Sequence, residues 1–197
     1  KNLNIEKENI FKISIKDNFI FLNNNNTLFN SLIYTGDVRN LKNILDIEII
    51  EELGISNLLN QISSLDSNAT STMLCECDSN EYSWVYLPSE NLKPHRMIMT
   101  GNFSKENNSS KLKKNRITCT VECSGEVTEE DFKKELHKLP FNPKFIAYNF
   151  CKNSYIIHDK DTRKLIILLK DKLKTKRIFL CGRFAEWEYF YMDNAIS

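Results

Sequence analysis

The 197-residue chain is 41% hydrophobic and 27% charged, and its 27 Lys and Arg nearly balance 26 Asp and Glu. Such a composition suits a globular chain with one good core, or one core and a smaller satellite. The net charge of +1 argues against a general nucleic-acid binder, which would carry a basic face, and no apolar run approaches the ~20 residues of a membrane helix.

Residues 10–22, IFKISIKDNFIFL, alternate apolar and polar positions on both sides of KDN and predict a β-hairpin. NNNN at 23–26 reads as a loop, and LFNSLIYTG at 28–36 as a short buried strand closed by Gly36. Asp37 then supplies a helix cap, with Leu41, Ile44 and Leu45 at helical spacing. Helix continues through residues 48–65, broken at Gly54.

Beyond residue 70 the period switches to two. STMLCECD (71–78), YSWVYLP (82–88), HRMIMTGNFS (95–104) and RITCTVECSG (116–125) predict four sequential antiparallel strands forming a meander. In VTEEDFKKELHKL (127–139), Thr128 and Asp131 make an approximate capping box. Phe132, Leu136 and Leu139 form the apolar stripe of that helix, and His137 faces its polar side. KFIAYNF (144–150) is another strand, TRKLIILLKDKL (162–173) a second amphipathic helix and RIFLCG (177–182) a final buried strand. The class is α+β, an antiparallel β-sheet with packed helices. Four stretches are expected: a hairpin and strand at 1–36, helices at 37–66, the sheet at 67–160 and a helix-strand-helix at 161–197.

The six cysteines are Cys75, Cys77, Cys119, Cys123, Cys151 and Cys181. Spacings of two and four on strands put each of the first two pairs on one face. Both pairs lie inside alternating apolar runs rather than at turns, so they read as reduced core thiols, with a metal site or a disulfide as alternatives. The basic cluster KLKKN at 111–115 reads as a solvated loop. The start, KNLNIEKENI, is charged throughout and shows no signal peptide, so a cytoplasmic location is expected.

Gly36, Gly54, Gly101, Gly125 and Gly182 each stand alone, so neither G-x-G-x-x-G nor a P-loop is present. His95, His137 and His158 are far apart, and no elbow motif marks a Ser or Cys nucleophile. No catalytic residue and no metal ligand is nominated on these grounds.

The ending GRFAEWEYFYMDNAIS is more informative. Gly182, Arg183, Ala185, Trp187, Tyr189, Met192 and Asp193 follow a pattern of strand, Gly-Arg, small residue, aromatic, Tyr and Met-Asp opening a helix. That pattern resembles the closing segment of flavoproteins related to UDP-galactopyranose mutase and the amine-oxidase and protoporphyrinogen-oxidase-like group. SLIYTGDV, SWVYLPSENLKPHRMIMTGNFS and SYIIHDKDTRKLIILLKDKL are similar to other segments of the same family, in the same order, so the resemblance runs from about residue 28 to the end.

The resemblance implies the substrate domain of a FAD-dependent two-domain flavoprotein, without its Rossmann half. Gly182, Arg183, Met192, Asp193 and Asn194 would then lie against FAD. A helix start at 192–195 would stabilise negative charge on the reduced flavin, and Arg183 would add a fixed positive charge. Arg96, Tyr155 and Tyr189 would meet a nucleotide-sugar substrate, Arg96 pairing with its diphosphate. Tyr191 stands where the mutases carry an acidic residue, and Glu186-Trp187 is more like relatives of unassigned activity, which leaves mutase and oxidase chemistry both open. The absent fingerprint and the non-Met start lead to the expectation of a truncated chain. It would lack an N-terminal FAD-binding domain, would not bind FAD or turn over alone, and would expose an apolar patch around Trp187 and Tyr189 open to self-association. The competing reading is a non-catalytic ligand-binding or interaction module without a cofactor.

Overall fold

The computed structural model describes residues 4–23 and 28–196, the side chains of Met192 and Ile196 excepted. Residues 24–26 of the predicted Asn loop therefore lie outside the described residues. The chain divides into two compact units: one is built from residues 1–66 and 156–197, the other from residues 67–155.

In the first unit, β1 (Ile13–Lys16) and β2 (Phe19–Leu22) form the expected antiparallel hairpin. Asp17 and Asn18 both take positive φ, which the tight two-residue connection requires. The strand read at 28–36 is shorter, β3 (Leu32–Tyr34), because Phe29 pairs with Ile20 instead. Asp37 caps a single 3-10 turn by accepting from the Arg39 N–H. Helices α1 (Leu41–Ile44), α2 (Ile47–Leu53) and α3 (Ser56–Ser63) follow, and Gly54 ends α2 in the left-handed conformation. Their apolar faces meet α6 (Thr162–Lys174), which buries Thr162, Ile166, Leu169 and Leu173, one helical stripe. β9 (Ile178–Leu180) pairs with β3 in parallel, Leu32 opposite Ile178 and Tyr34 opposite Leu180. The unit ends in α7 (Met192–Ile196).

In the second unit, β4 (Ser67–Asp78), β5 (Trp84–Tyr86), β6 (Pro94–Ile98), β7 (Arg116–Ser124) and β8 (Lys144–Ile156) form a sheet of order β5-β6-β7-β4-β8. The last residue of β8, Ile156, already belongs to the first unit. This corrects the predicted meander: β4 pairs with β7, not with β5. The 12 residues of β4 need a partner of similar length, and three-residue β5 would leave most of that ladder's polar groups unpaired. The β4–β7 register also sets Met73 beside Val121 and Cys75 beside Cys119 on the buried face.

The predicted strand at 95–104 ends early, at Ile98, and α4 (Thr100–Phe103) turns the chain away. Gly101 is required there, since a Cβ would lie 2.8 Å from the Thr118 backbone nitrogen. The Asn108 side chain locks this turn by donating to the Gly101 carbonyl and accepting from the Thr118 N–H. α5 (Glu129–Glu135) is capped by Thr128 and lays Phe132 on the sheet's inner face, where Leu136 joins it from the 3-10 turn that follows. That face is rich in sulfur: Met73, Cys75, Cys77, Met97, Met99, Cys119 and Cys123 are all fully buried, and the cysteines are free thiols.

Among the described residues no helix is long and apolar enough to cross a membrane.

Candidate functional site

Two groups of side chains stand out, one in each unit. In the second unit the sheet face opposite α5 carries a polar row. Tyr86, Arg96 and Glu122 are direct cross-strand neighbours, and Thr72 continues the row on β4. The β6–β7 register shifts between Pro94 and Arg96. Such a bulge re-aims side chains, and here both His95 and Arg96 reach the Glu122 carboxylate. Arg96 Nη2 lies 2.6 Å from Glu122 Oε1 and donates to the Tyr155 hydroxyl, also at 2.6 Å. His95 Nε2 lies 3.3 Å from the same carboxylate oxygen.

Burial works against the charge on Arg96, but Glu122 and Tyr155 outweigh it and hold the guanidinium above its usual pKa. The guanidinium also sits over the exposed Trp84 ring, 5.4 Å from its centre. Arg96 and Tyr155 are 59 residues apart in sequence, and the fold brings them into direct contact. Glu122, His95 and Trp84 were not singled out from sequence. Their signal was present but weak: Glu122 is a carboxylate at 7% exposure inside an apolar strand, a position that calls for a cationic partner.

In the first unit the closing segment is tied down by its own chain. Cys181 N–H donates to the Tyr34 carbonyl and prolongs the β3–β9 pairing. Gly182 then turns at φ +94, a conformation that favours glycine. The Arg183 guanidinium donates to the Phe190 carbonyl at 2.9 Å and staples the loop between them.

Trp187 is the anchor. It is buried, with a left-handed backbone at φ +49, and its indole N–H donates to the Ile157 carbonyl. Its own carbonyl accepts from His158 Nε2. Phe184 meets its ring edge-on, and Arg39, held by Asp37, lies 4.7 Å above it. This corrects the expected exposed patch around Trp187: the indole belongs to the first unit's own core, while Tyr189 and Tyr191 are exposed. The Tyr189 hydroxyl donates to the Ile156 carbonyl.

Asn194 accepts from the Tyr191 N–H at the start of α7. Arg183, Phe190, Tyr191, Asp193 and Ala195 line an open cavity of about 550 Å³. Of the residues proposed to face a cofactor, the structure thus gathers Arg183 and Asp193 around one cavity, with Gly182 and Asn194 in the same segment. The Met192 side chain lies outside the described residues.

The fold matches part of three solved structures. It is similar to that of a reduced UDP-galactopyranose mutase, with a TM-score of 0.72 and 16% identity over 92% of this chain and 42% of that one. A protein from Pyrococcus furiosus matches with a TM-score of 0.55 and 12% identity, over 88% of this chain and 39% of that one. An oxidoreductase from Methanosarcina mazei matches at 0.53 and 10%, over 75% and 36%. The chain therefore spans less than half the length of each of these structures. At such identities the likeness is one of fold. No family model matches the sequence, and no curated protein matches it.

Proposed function

We propose that this chain is the substrate-side and C-terminal portion of a FAD-dependent enzyme acting on a nucleotide-sugar. The observation that carries the reading is the cavity bordered by Arg183, Phe190, Tyr191 and Asp193, in the segment that leaves the carboxyl end of parallel strand β9. Ligands of open α/β sheets sit beyond the carboxyl ends of their parallel strands. The lining fits a flat, electron-accepting ring system: two aromatic side chains offer stacking surfaces and Arg183 offers a planar cation.

FAD, when bound, would accept a hydride or electrons in an oxidase-type reaction, or in its reduced form supply a nucleophile for a redox-neutral isomerisation. The chain's own residues bind and orient. Arg183, held by the Phe190 carbonyl, keeps positive charge beside the cavity. In the second unit, Glu122 and Tyr155 hold Arg96 beside the exposed Trp84, an arrangement suited to a phosphate group attached to a ring. The Tyr189 hydroxyl is a further phosphate donor in this reading, once it leaves the Ile156 carbonyl. The portion of the enzyme carrying the nucleotide-binding fingerprint would come from outside this chain.

The test is calorimetric titration with UDP-galactose. Arg96→Ala should weaken binding by about 1.5–3 kcal/mol and Tyr189→Phe by about 0.5–1.5 kcal/mol, the ordinary worth of charged and neutral hydrogen bonds. Arg96→Lys retains the charge beside Glu122 and checks that a loss is not one of folding. Equal affinity across these variants would remove the substrate-site assignment.

A further inference from the structure

Within the polar row of the second unit, one carboxylate oxygen serves two basic side chains. Glu122 Oε1 lies 2.6 Å from Arg96 Nη2 and 3.3 Å from His95 Nε2, and the Glu122 side chain is only 9% exposed. Strand alternation alone would send His95 to the sulfur-rich inner face, beside Met97. The register shift between Pro94 and Arg96 instead brings both neighbours to the same carboxylate. Arg96 Nε and His95 Nδ1 are buried without a partner among the described residues. Neither basic side chain has therefore spent its hydrogen-bonding capacity within the chain.

This arrangement has two charge states. With His95 neutral, Arg96 and Glu122 cancel, and a neutralised pair has little net attraction for a phosphate group. With His95 protonated, the trio carries net positive charge. Histidine is the side chain that ordinarily changes charge between pH 5 and 8. The other titratable groups around the trio are the Tyr86 phenol on β5, the Tyr155 phenol on β8 and, opposite Pro94 on β7, the Cys123 thiol, which burial pushes up to about 12. Lys93, two residues before His95, is drawn to Asp131 at 3.7 Å, and β4 contributes the uncharged Thr72 opposite Glu122. We propose that His95, Arg96 and Glu122 form a conditional oxyanion site, in which a dianionic phosphate group binds Arg96 tightly when His95 is protonated and weakly when it is neutral. His95 acts through Glu122 as a positioning residue: protonated, it takes up the carboxylate's charge and leaves that of Arg96 for the ligand. The inference rests on Arg96 as the phosphate contact of the proposed function, and adds the regulation of that contact.

The experiment titrates the 197-residue chain with inorganic sulfate at pH 6 and pH 8 and constant ionic strength, following the amide resonances of His95, Arg96 and Glu122. Sulfate keeps both charges across this range, so titration of the ligand cannot mimic the effect. The wild type should bind on the order of tenfold tighter at pH 6, which is what one added unit charge contributes against a dianion nearby in high dielectric. His95→Gln should bind at the weaker level at both pH values. Glu122→Gln should bind at pH 8 about as tightly as the wild type does at pH 6, because it leaves Arg96 unneutralised. The His95 side chain is 42% exposed, so its replacement should leave the sheet folded, and unchanged amide resonances of β4 check this. A purely structural His95 would weaken binding equally at both pH values. Equal wild-type affinity at the two pH values, a pH dependence that survives in His95→Gln, or no sulfate binding at either pH would each overturn the inference. UDP-galactose is titrated separately. pH-dependent sulfate binding without UDP-galactose binding leaves the oxyanion site standing and sinks the nucleotide-sugar reading. UDP-galactose binding that Arg96→Ala weakens, beside sulfate binding indifferent to pH, does the reverse.

Discussion

The two units solve the same packing problem in different ways. The second is a contiguous stretch whose long strands β4 and β7 pair antiparallel and bury a sulfur-rich face under one helix. The first joins two segments separated by nearly ninety residues, and its core is almost wholly Ile and Leu from helices and short strands. In the second unit polar chemistry is arrayed by sheet register: the bulge at His95 and the row Tyr86, Arg96, Glu122 place cation and carboxylate side by side. In the first, polar chemistry comes from a loop forced into place by Trp187, whose buried indole and carbonyl tie residues 182–190 to Ile157 and His158. A sheet places groups by periodicity, whereas a loop needs an anchor for every turn.

The sharpest way to break this contrast is a matched pair of core deletions. Phe132→Ala should cost about 3–5 kcal/mol and Leu169→Ala about 2–5 kcal/mol, the usual range for cavities left by fully buried side chains. Hydrogen exchange should localise the first loss to residues 67–155. The second should open residues 41–63 together with 162–180, because those distant segments share one core. If Leu169→Ala loosened only its own helix, the discontinuous unit would not be a unit.

A smaller effect is expected at the α5 cap. Thr128→Ala removes the acceptor for the Asp131 N–H and should lower stability by about 1 kcal/mol in chemical denaturation. The smallest at neutral pH is at Tyr34, whose hydroxyl donates to the Asp37 carbonyl. Burial, and then the nearby Asp37 carboxylate, push its pKa up to about 12. A tyrosine in the unfolded chain ionises near pH 10, so Tyr34's contribution is whole below that pH and is lost as pH rises toward 12. Denaturation midpoints followed from pH 9 to 12 should fall in the wild type and fall less steeply in Tyr34→Phe. Parallel slopes would refute the assignment.

Much of the local structure was legible because its cause is local. The hairpin turn at Asp17-Asn18, the Gly54 break, the Thr128 cap and the stripes Phe132–Leu136 and Ile166–Leu169–Leu173 follow from turn chemistry and periodicity. Strand order was not legible. Residues 71–78 alternate in the same way whichever neighbour they pair with, and only the matching lengths of β4 and β7 decide it. The end of β6 at Ile98 was missed because Asn108, ten residues away from Thr118, is what holds the Gly101 turn.

The candidate site divides along the same line. Arg183, Tyr189 and Arg96 were nominated only through the resemblance of their segments to known flavoproteins, since a guanidinium or a phenol taken alone suits a surface ion pair or a core edge equally well. What each touches could not be read at all. The Arg96–Tyr155 contact spans 59 residues, and burial of Trp187 depends on Ile157, His158 and Arg39 arriving from three places. The amino-acid sequence by itself determined where helices start, where turns fall and which faces are apolar, because those depend on neighbours within a turn or two. Only the tertiary structure decided which strands pair, that β3 meets β9 in parallel, and which carboxylate faces which guanidinium, because those contacts are chosen by burying distant apolar faces together.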